Sequence, residues 1–138
     1  MNSLSPMIAS LGVALGGAIG AALRYNLGRW MTGWLGAPAM SAFPWATLAA
    51  NAAGCLAMGT LAGALMRGAG GTLTEPLRLV VGVGFLGGFT TFSAFGLETW
   101  LLVERGQLTI ALLYVLLSVS LSVSALVFGL TVTRVFWA

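Results

Sequence analysis

From Met1 to Leu23 the chain carries no charged residue, and none occurs again from Trp30 to Met66. Crossing a bilayer takes about 20 consecutive, mostly apolar residues in a helix. Four such stretches can be placed, at about residues 7–25, 44–66, 76–102 and 108–135. A helix or a closed barrel is all that can cross lipid, because every backbone group must be paired internally. The expectation is an all-α membrane protein with four transmembrane helices. Only 7% of the 138 residues are charged, against about 25% in soluble domains. The chain is too short for a membrane part and a separate folded domain, so residues 1–138 are read as one integral membrane domain.

Between the spans lie turn-forming segments. "WMTGWLGAPAMSAFPW" has the Gly, Pro and Ser of a loop, with Pro44 at the next helix start. "RGAGGTLTEPLR" is a turn-rich connection, and "VERGQ" is a short turn. Trp30, Trp34, Trp45, Trp100 and Trp137 fall near predicted span ends, where interfacial tryptophans belong. "MNSLSPMIAS" lacks the positive region of a cleavable signal.

The charges restrict function and topology. All six basic residues are Arg and all three acids are Glu, with a net charge of +3. They are scattered singly, which argues against nucleic-acid binding. There is no His and one cysteine, Cys55. Cysteine-rich metal sites and Ser-His-Asp chemistry lack their parts, so no enzyme is expected. Four spans set Arg67, Arg78 and Arg134 on one side and Arg24, Arg29 and Arg105 on the other. The positive-inside rule then gives almost no preferred orientation. Either few charges make the count noisy, or both orientations insert and opposed copies pair.

Polar residues inside the spans carry the remaining information. Gly12, Gly16 and Gly20 form a four-residue ladder that lets helix backbones approach closely, which implies tight packing rather than a dimer in itself. Arg24, at the end of the first span, either snorkels to the headgroups or lends positive potential to an anion path. Thr47 and Asn51 share a helix face. The Asn amide either holds the bundle together or presents an N–H to a pore. In "YVLLSVSLSVSALVFG", Tyr114, Ser118 and Ser122 fall at i, i+4 and i+8 on one helical face. The third span holds "GFLGGFTTFSAFGLETW". Phe85, Phe89 and Phe92 follow helical spacing, but Gly87, Gly88, Thr90, Thr91 and Ser93 weaken a helix there. A break would free carbonyls in the membrane, tolerated only if buried in protein or facing water or an ion.

With these motifs in order, the chain resembles the small fluoride channels (Fluc) over nearly its whole length. "GGAIGAALRY" resembles that family's first-span signature, "TLAANAAGC" its second-span Asn motif, and "GFLGGFTTFSAF" its third-span motif. Tyr114, Ser118 and Ser122 match its fourth-span polar positions. The resemblance implies an antiparallel, dual-topology homodimer in a bacterial plasma (inner) membrane, with two pores and passive electrogenic fluoride export. It implies a third helix broken near the midplane. There carbonyls of Gly87 and Thr90 from both subunits would hold a structural Na+. It carries pore roles onto Asn51, Phe92 and Phe95, a polar track onto Thr47, Glu98, Tyr114, Ser118 and Ser122, and a vestibule role onto Arg24. Ala94 and Gly96 depart from the family, which often has hydroxyls there.

Two other functions compete. A small multidrug-type, proton-coupled exporter also has four spans, but needs a carboxylate in the first, and this chain has none there. A non-conducting structural subunit explains the glycines but not the hydroxyl stripe.

Overall fold

A computed structural model describes residues 5–68 and 71–136; Trp137 therefore lies outside the described residues. The order is α1 (Pro6–Leu35), α2 (Ala37–Ala42), α3 (Trp45–Met66), a 3-10 turn (Gly71–Leu73), α4 (Thr74–Leu77), a π-helical segment (Arg78–Leu86), α5 (Gly87–Phe89), α6 (Phe92–Glu104) and α7 (Leu108–Phe136). No strand occurs among the described residues. Four helical stretches are long and apolar enough to cross a membrane: Pro6–Leu35, Trp45–Met66, Gly71–Glu104 and Leu108–Val135. The all-helical, four-span architecture is thus as the sequence predicts.

The largest difference is at the first connection. The segment after Tyr25 is not a loop: α1 continues to Leu35 and α2 follows at once. Three local side-chain contacts lie along this extension. Asn26 Nδ2 donates to the Ala22 carbonyl (2.9 Å), Thr32 Oγ1 to the Gly28 carbonyl (2.8 Å), and Trp30 stacks on Trp34 at 6.0 Å. Gly36 then stops it, with φ +83, a conformation that glycine adopts without steric cost. At about 1.5 Å per residue, α1 outruns the roughly 30 Å hydrocarbon core.

Packing is organised by glycines. α3 lies along α7, and α1 along the π segment and α5. A Cβ on Gly16 would meet the Val80 carbonyl oxygen and the Phe85 nitrogen, the latter at 2.9 Å. One on Gly20 would meet the Phe85 carbonyl oxygen and the Phe89 nitrogen, the latter at 2.8 Å. The glycine ladder therefore seats α1 against its own chain. Leu11, Leu15 and Ile19, on a flank of α1 beside the ladder, are exposed, as expected of a lipid-facing surface.

At the "VERGQ" turn the Gly106 N–H bonds the Val103 carbonyl and the Gln107 N–H bonds the Leu102 carbonyl, both at 2.9 Å. That is a Schellman closure around Gly106 at φ +72. It turns α7 back beside α6 and sets Tyr114 against Leu48 and Leu102 in the small core. The arginines group by end as counted from the sequence. Arg105 Nη1 bonds the Ser41 carbonyl at 3.3 Å. At the other end, Arg67 donates to the Arg134 carbonyl, and Arg134 Nη2 lies 3.1 Å from the Met66 sulfur.

Candidate functional site

Between α5 and α6 the backbone is extended: Thr90 has φ −83 and ψ 158, Thr91 φ −153 and ψ 118. The threonines stabilise this conformation themselves. β-Branching favours extended backbone, and both hydroxyls find backbone partners. Thr90 Oγ1 and its own N–H both donate to the Leu86 carbonyl, each at 2.9 Å. Thr91 caps α6, its Oγ1 accepting from the Ala94 N–H at 3.1 Å.

Asn51 on α3 fastens this segment from the side. Its Oδ1 accepts from the Thr91 N–H at 2.7 Å, and its Nδ2 donates to the Thr91 carbonyl at 3.0 Å. An amide NH2 has two donors, so one N–H remains for another acceptor. The Thr91 N–H, which would continue the ladder to the Gly87 carbonyl, is thus held by Asn51. The Ala94 N–H, which would reach the Thr90 carbonyl, is held by Thr91 Oγ1. The Gly88 carbonyl accepts from Arg24 Nε at 3.3 Å.

Beside this clamp is a cavity of about 200 Å³, lined by Asn51, Cys55, Thr90, Thr91, Phe92, Phe95, Ser118 and Ser122. The helical spacing of α7 brings both serines there. Ser118 is 5% exposed, whereas Ser120 and Ser124 face outward. Neither Ser118 Oγ nor Ser122 Oγ has a hydrogen-bond partner among the described residues. Buried hydroxyls are ordinarily paired, so these two residues bring to the cavity wall donors that the described residues leave without a partner. Phe92 is 83% exposed and its ring centroid lies 5.5 Å from that of Phe95. Phe95 in turn packs on Tyr114 at 5.2 Å.

Past Phe95 three helices meet at one carboxylate. Thr47 Oγ1 of α3 donates to Glu98 Oε1 at 2.8 Å, and the Tyr114 hydroxyl of α7 donates to Glu98 Oε2 at 2.7 Å. Tyr114 is fully buried and Phe43 meets it edge-on, centroids 5.4 Å apart. Glu98 also borders two further cavities. One, of about 520 Å³, is lined by Arg24, Arg29, Thr47 and Ala94 among others; the second, of about 160 Å³, includes Arg105 and Ser41. Arginines therefore stand at both openings beyond the carboxylate.

The structure brings Asn51, Phe92, Phe95, Ser118 and Ser122 onto one cavity, Thr47, Glu98 and Tyr114 into one hydrogen-bonded cluster, and Arg24 onto the adjoining cavity. Gly87 opens α5, and Thr90 is the extended residue that follows it. The two positions lacking a hydroxyl differ: Ala94 lines the larger cavity, while a Cβ on Gly96 would meet nothing within 4 Å. Three contributors escaped the sequence reading of the site: Thr91 as the partner of Asn51, Cys55 in the cavity wall, and Arg29 beside Arg24. Cys55 was legible in principle, one helical turn beyond Asn51 on the same face.

Residues 11–130 match the family described as CrcB-like protein, Camphor Resistance (CrcB). The chain is 66% identical over 136 residues to the fluoride-specific ion channel FluC of Erythrobacter litoralis, covering 99% of both chains. It is 53% identical over 128 residues to the fluoride-specific ion channel FluC of Novosphingobium aromaticivorans, covering 93% of this chain and 98% of that one. The protein of the same description from Paracoccus denitrificans is 51% identical over 132 residues, 93% of this chain and 96% of that one.

Proposed function

The chain belongs to the CrcB-like family, and from that premise we propose that it is a fluoride-selective channel, a multi-pass protein of a bacterial membrane that lets fluoride leave the cytoplasm passively. The observation that carries this reading is the pair of unpartnered hydroxyls of Ser118 and Ser122 in the cavity of Asn51, Phe92 and Phe95. Fluoride is small and strongly hydrated. A path for it must replace lost water with donors, and must do so weakly and repeatedly so that the ion can leave. The serine hydroxyls and the free N–H of Asn51 are such donors. The edges of the Phe92 and Phe95 rings are electropositive and tolerate an anion that their faces repel.

Beyond the serines, Thr47 and Tyr114 point their protons at Glu98. A fluoride arriving here competes with the carboxylate for those protons. Each hydroxyl rotates to the ion and returns when it leaves, so the donor row is continuous without a deep trap. Arg24 and Arg29 hold positive potential at the wider opening and concentrate anions there. The membrane potential, negative inside, drives the anion out, worth about 2.3 kcal/mol per charge per 100 mV.

The same reading includes an antiparallel homodimer. A narrow ion path cannot remain open to lipid, yet Phe92 is largely exposed on a single chain; a second copy would cover it. The even division of arginines favours insertion in both orientations. A pair of chains related by a two-fold axis in the membrane plane would oppose their Thr90–Thr91 segments. These segments then form the break in the third spanning helix near the midplane, and residues 1–138 act as one membrane domain. The Gly87 and Thr90 carbonyls fit a hard monovalent cation such as Na+. Each has lost its helical donor, and carbonyl oxygens are suitable ligands for such an ion. Bound there, the ion would supply positive charge that offsets converging carbonyl dipoles.

The test is fluoride efflux from liposomes holding the purified protein, read with a fluoride electrode. Fast efflux that requires a potassium shunt, with chloride retained, is expected. Chloride loss at the same rate, or no flux above protein-free liposomes, refutes the reading.

A further inference from the structure

Cys55 is the only cysteine in the chain, and the fluoride path as drawn above gives it no part. It lies on α3 one turn beyond Asn51 and lines the same cavity as Ser118 and Ser122. That wall is already short of partners: Ser118 is 5% exposed and its Oγ bonds nothing among the described residues. Cys55 itself is only partly buried. A thiol that merely filled a gap between helices would be closed in by apolar neighbours. This one shares a polar cavity of about 200 Å³ with hydroxyls and an amide.

We propose that Cys55 is a wall residue of the anion path and a modification site for small thiol-directed electrophiles, whose attachment shuts the path. This rests on the fluoride-channel reading. The S–H is a weak donor, so it adds a shallow site one helical turn past the Asn51 amide, suited to an ion that must move on. A methylthio group attached there occupies roughly the space of one to two waters within the cavity. It also replaces the S–H donor with an apolar methyl in the cavity that Phe95 and Ser118 line. The chemistry balances with methyl methanethiosulfonate. The Cys55 thiol gives its proton to water, its sulfur forms a disulfide bond to the methylthio sulfur, and methanesulfinate leaves.

The experiment uses wild-type protein in liposomes and this neutral reagent. Fluoride efflux measured before treatment tests the channel reading separately. After treatment, an intact-mass increase of one methylthio group should accompany a fall in efflux of about tenfold or more, since the narrow path is both filled and stripped of a donor. Dithiothreitol should restore both mass and flux. Cys55→Ser and Cys55→Ala should be blind to the reagent, at whatever flux each supports. Full modification with undiminished efflux overturns the proposal. So does a thiol that reacts in unfolded protein but not in the folded one, or inhibition that persists in Cys55→Ser.

Discussion

Tyr114→Phe removes one oxygen from the most enclosed side chain of the site and nothing else. The ring keeps its contacts with Phe43 and Phe95; the lost contact is the 2.7 Å bond from the hydroxyl to Glu98 Oε2. Hydrogen bonds to charged groups contribute about 1.5–3 kcal/mol, and neutral ones about 0.5–1.5. The single change should therefore lower stability by about 2 kcal/mol, and a second background tests why. In Glu98→Gln the partner is neutral, so the same Tyr114→Phe change should cost only about 1 kcal/mol. The expected coupling is about 1 kcal/mol, large enough for a double-mutant cycle on residues in contact. Reversible denaturation of the detergent-solubilised protein, followed by tryptophan fluorescence, measures it. Fluoride efflux should also drop about tenfold or more in Tyr114→Phe, since roughly 1.4 kcal/mol is a factor of ten. An equal stability loss in both backgrounds refutes the claim that the hydroxyl acts through the Glu98 carboxylate. Unchanged efflux removes Tyr114 from the ion path.

Three further outcomes follow from the geometry. Asn51→Ala leaves the Thr91 N–H and carbonyl without their side-chain partners; about 2 kcal/mol and a fall of roughly 5–10 °C in thermal midpoint are expected, and a midpoint within one or two degrees of wild type contradicts the clamp. Gly16→Ala forces a methyl onto the backbone of the π segment and should destabilise by about 1–3 kcal/mol, whereas Gly96→Ala meets open space and should be neutral or stabilising by about 0.5–1 kcal/mol; thermal unfolding of the two side by side decides, and equal effects undo the assignment. A reporter fused to the C-terminus should be found on both sides of the membrane in similar amounts, and confinement to one side rules out dual topology.

Much of this organisation is visible in residue spacing, because a membrane helix has one period and few charges to confuse it. Tyr114, Ser118 and Ser122 are recognisable as one face since i+4 steps hold in any α-helix. The glycine ladder is legible for the same reason. What the spacing cannot convey is which of two helix-breaking signals prevails. The Gly, Pro and Ser of "WMTGWLGAPAMSAFPW" suggest a loop, yet α1 runs on to Leu35, with Trp30 stacked on Trp34, and stops only at Gly36. The π segment at Arg78–Leu86 has no local signature in an apolar, glycine-containing run. Its backbone at Val80 and Phe85 closes on Gly16 and Gly20, a tertiary contact that local spacing does not convey. Asn51 was readable as either a bundle bond or a pore donor. The structure explains why both readings were available, since its amide engages Thr91 through two atoms and still keeps one N–H.

The glycine ladder of α1 has a consequence for how the chain tolerates change. Its small residues are wholly engaged by the π segment and α5 of the same chain. What α1 turns outward is a row of small residues, Ser10, Ala14, Ala18 and Ala22, flanked by Leu11, Leu15 and Ile19. The surface that would meet a second copy, around Thr90, Thr91 and Phe92, lies on a different helix. In the proposed pair the glycine ladder builds the protomer and the exposed Phe92 marks the pairing surface, so a substitution at one of these should leave the other in place.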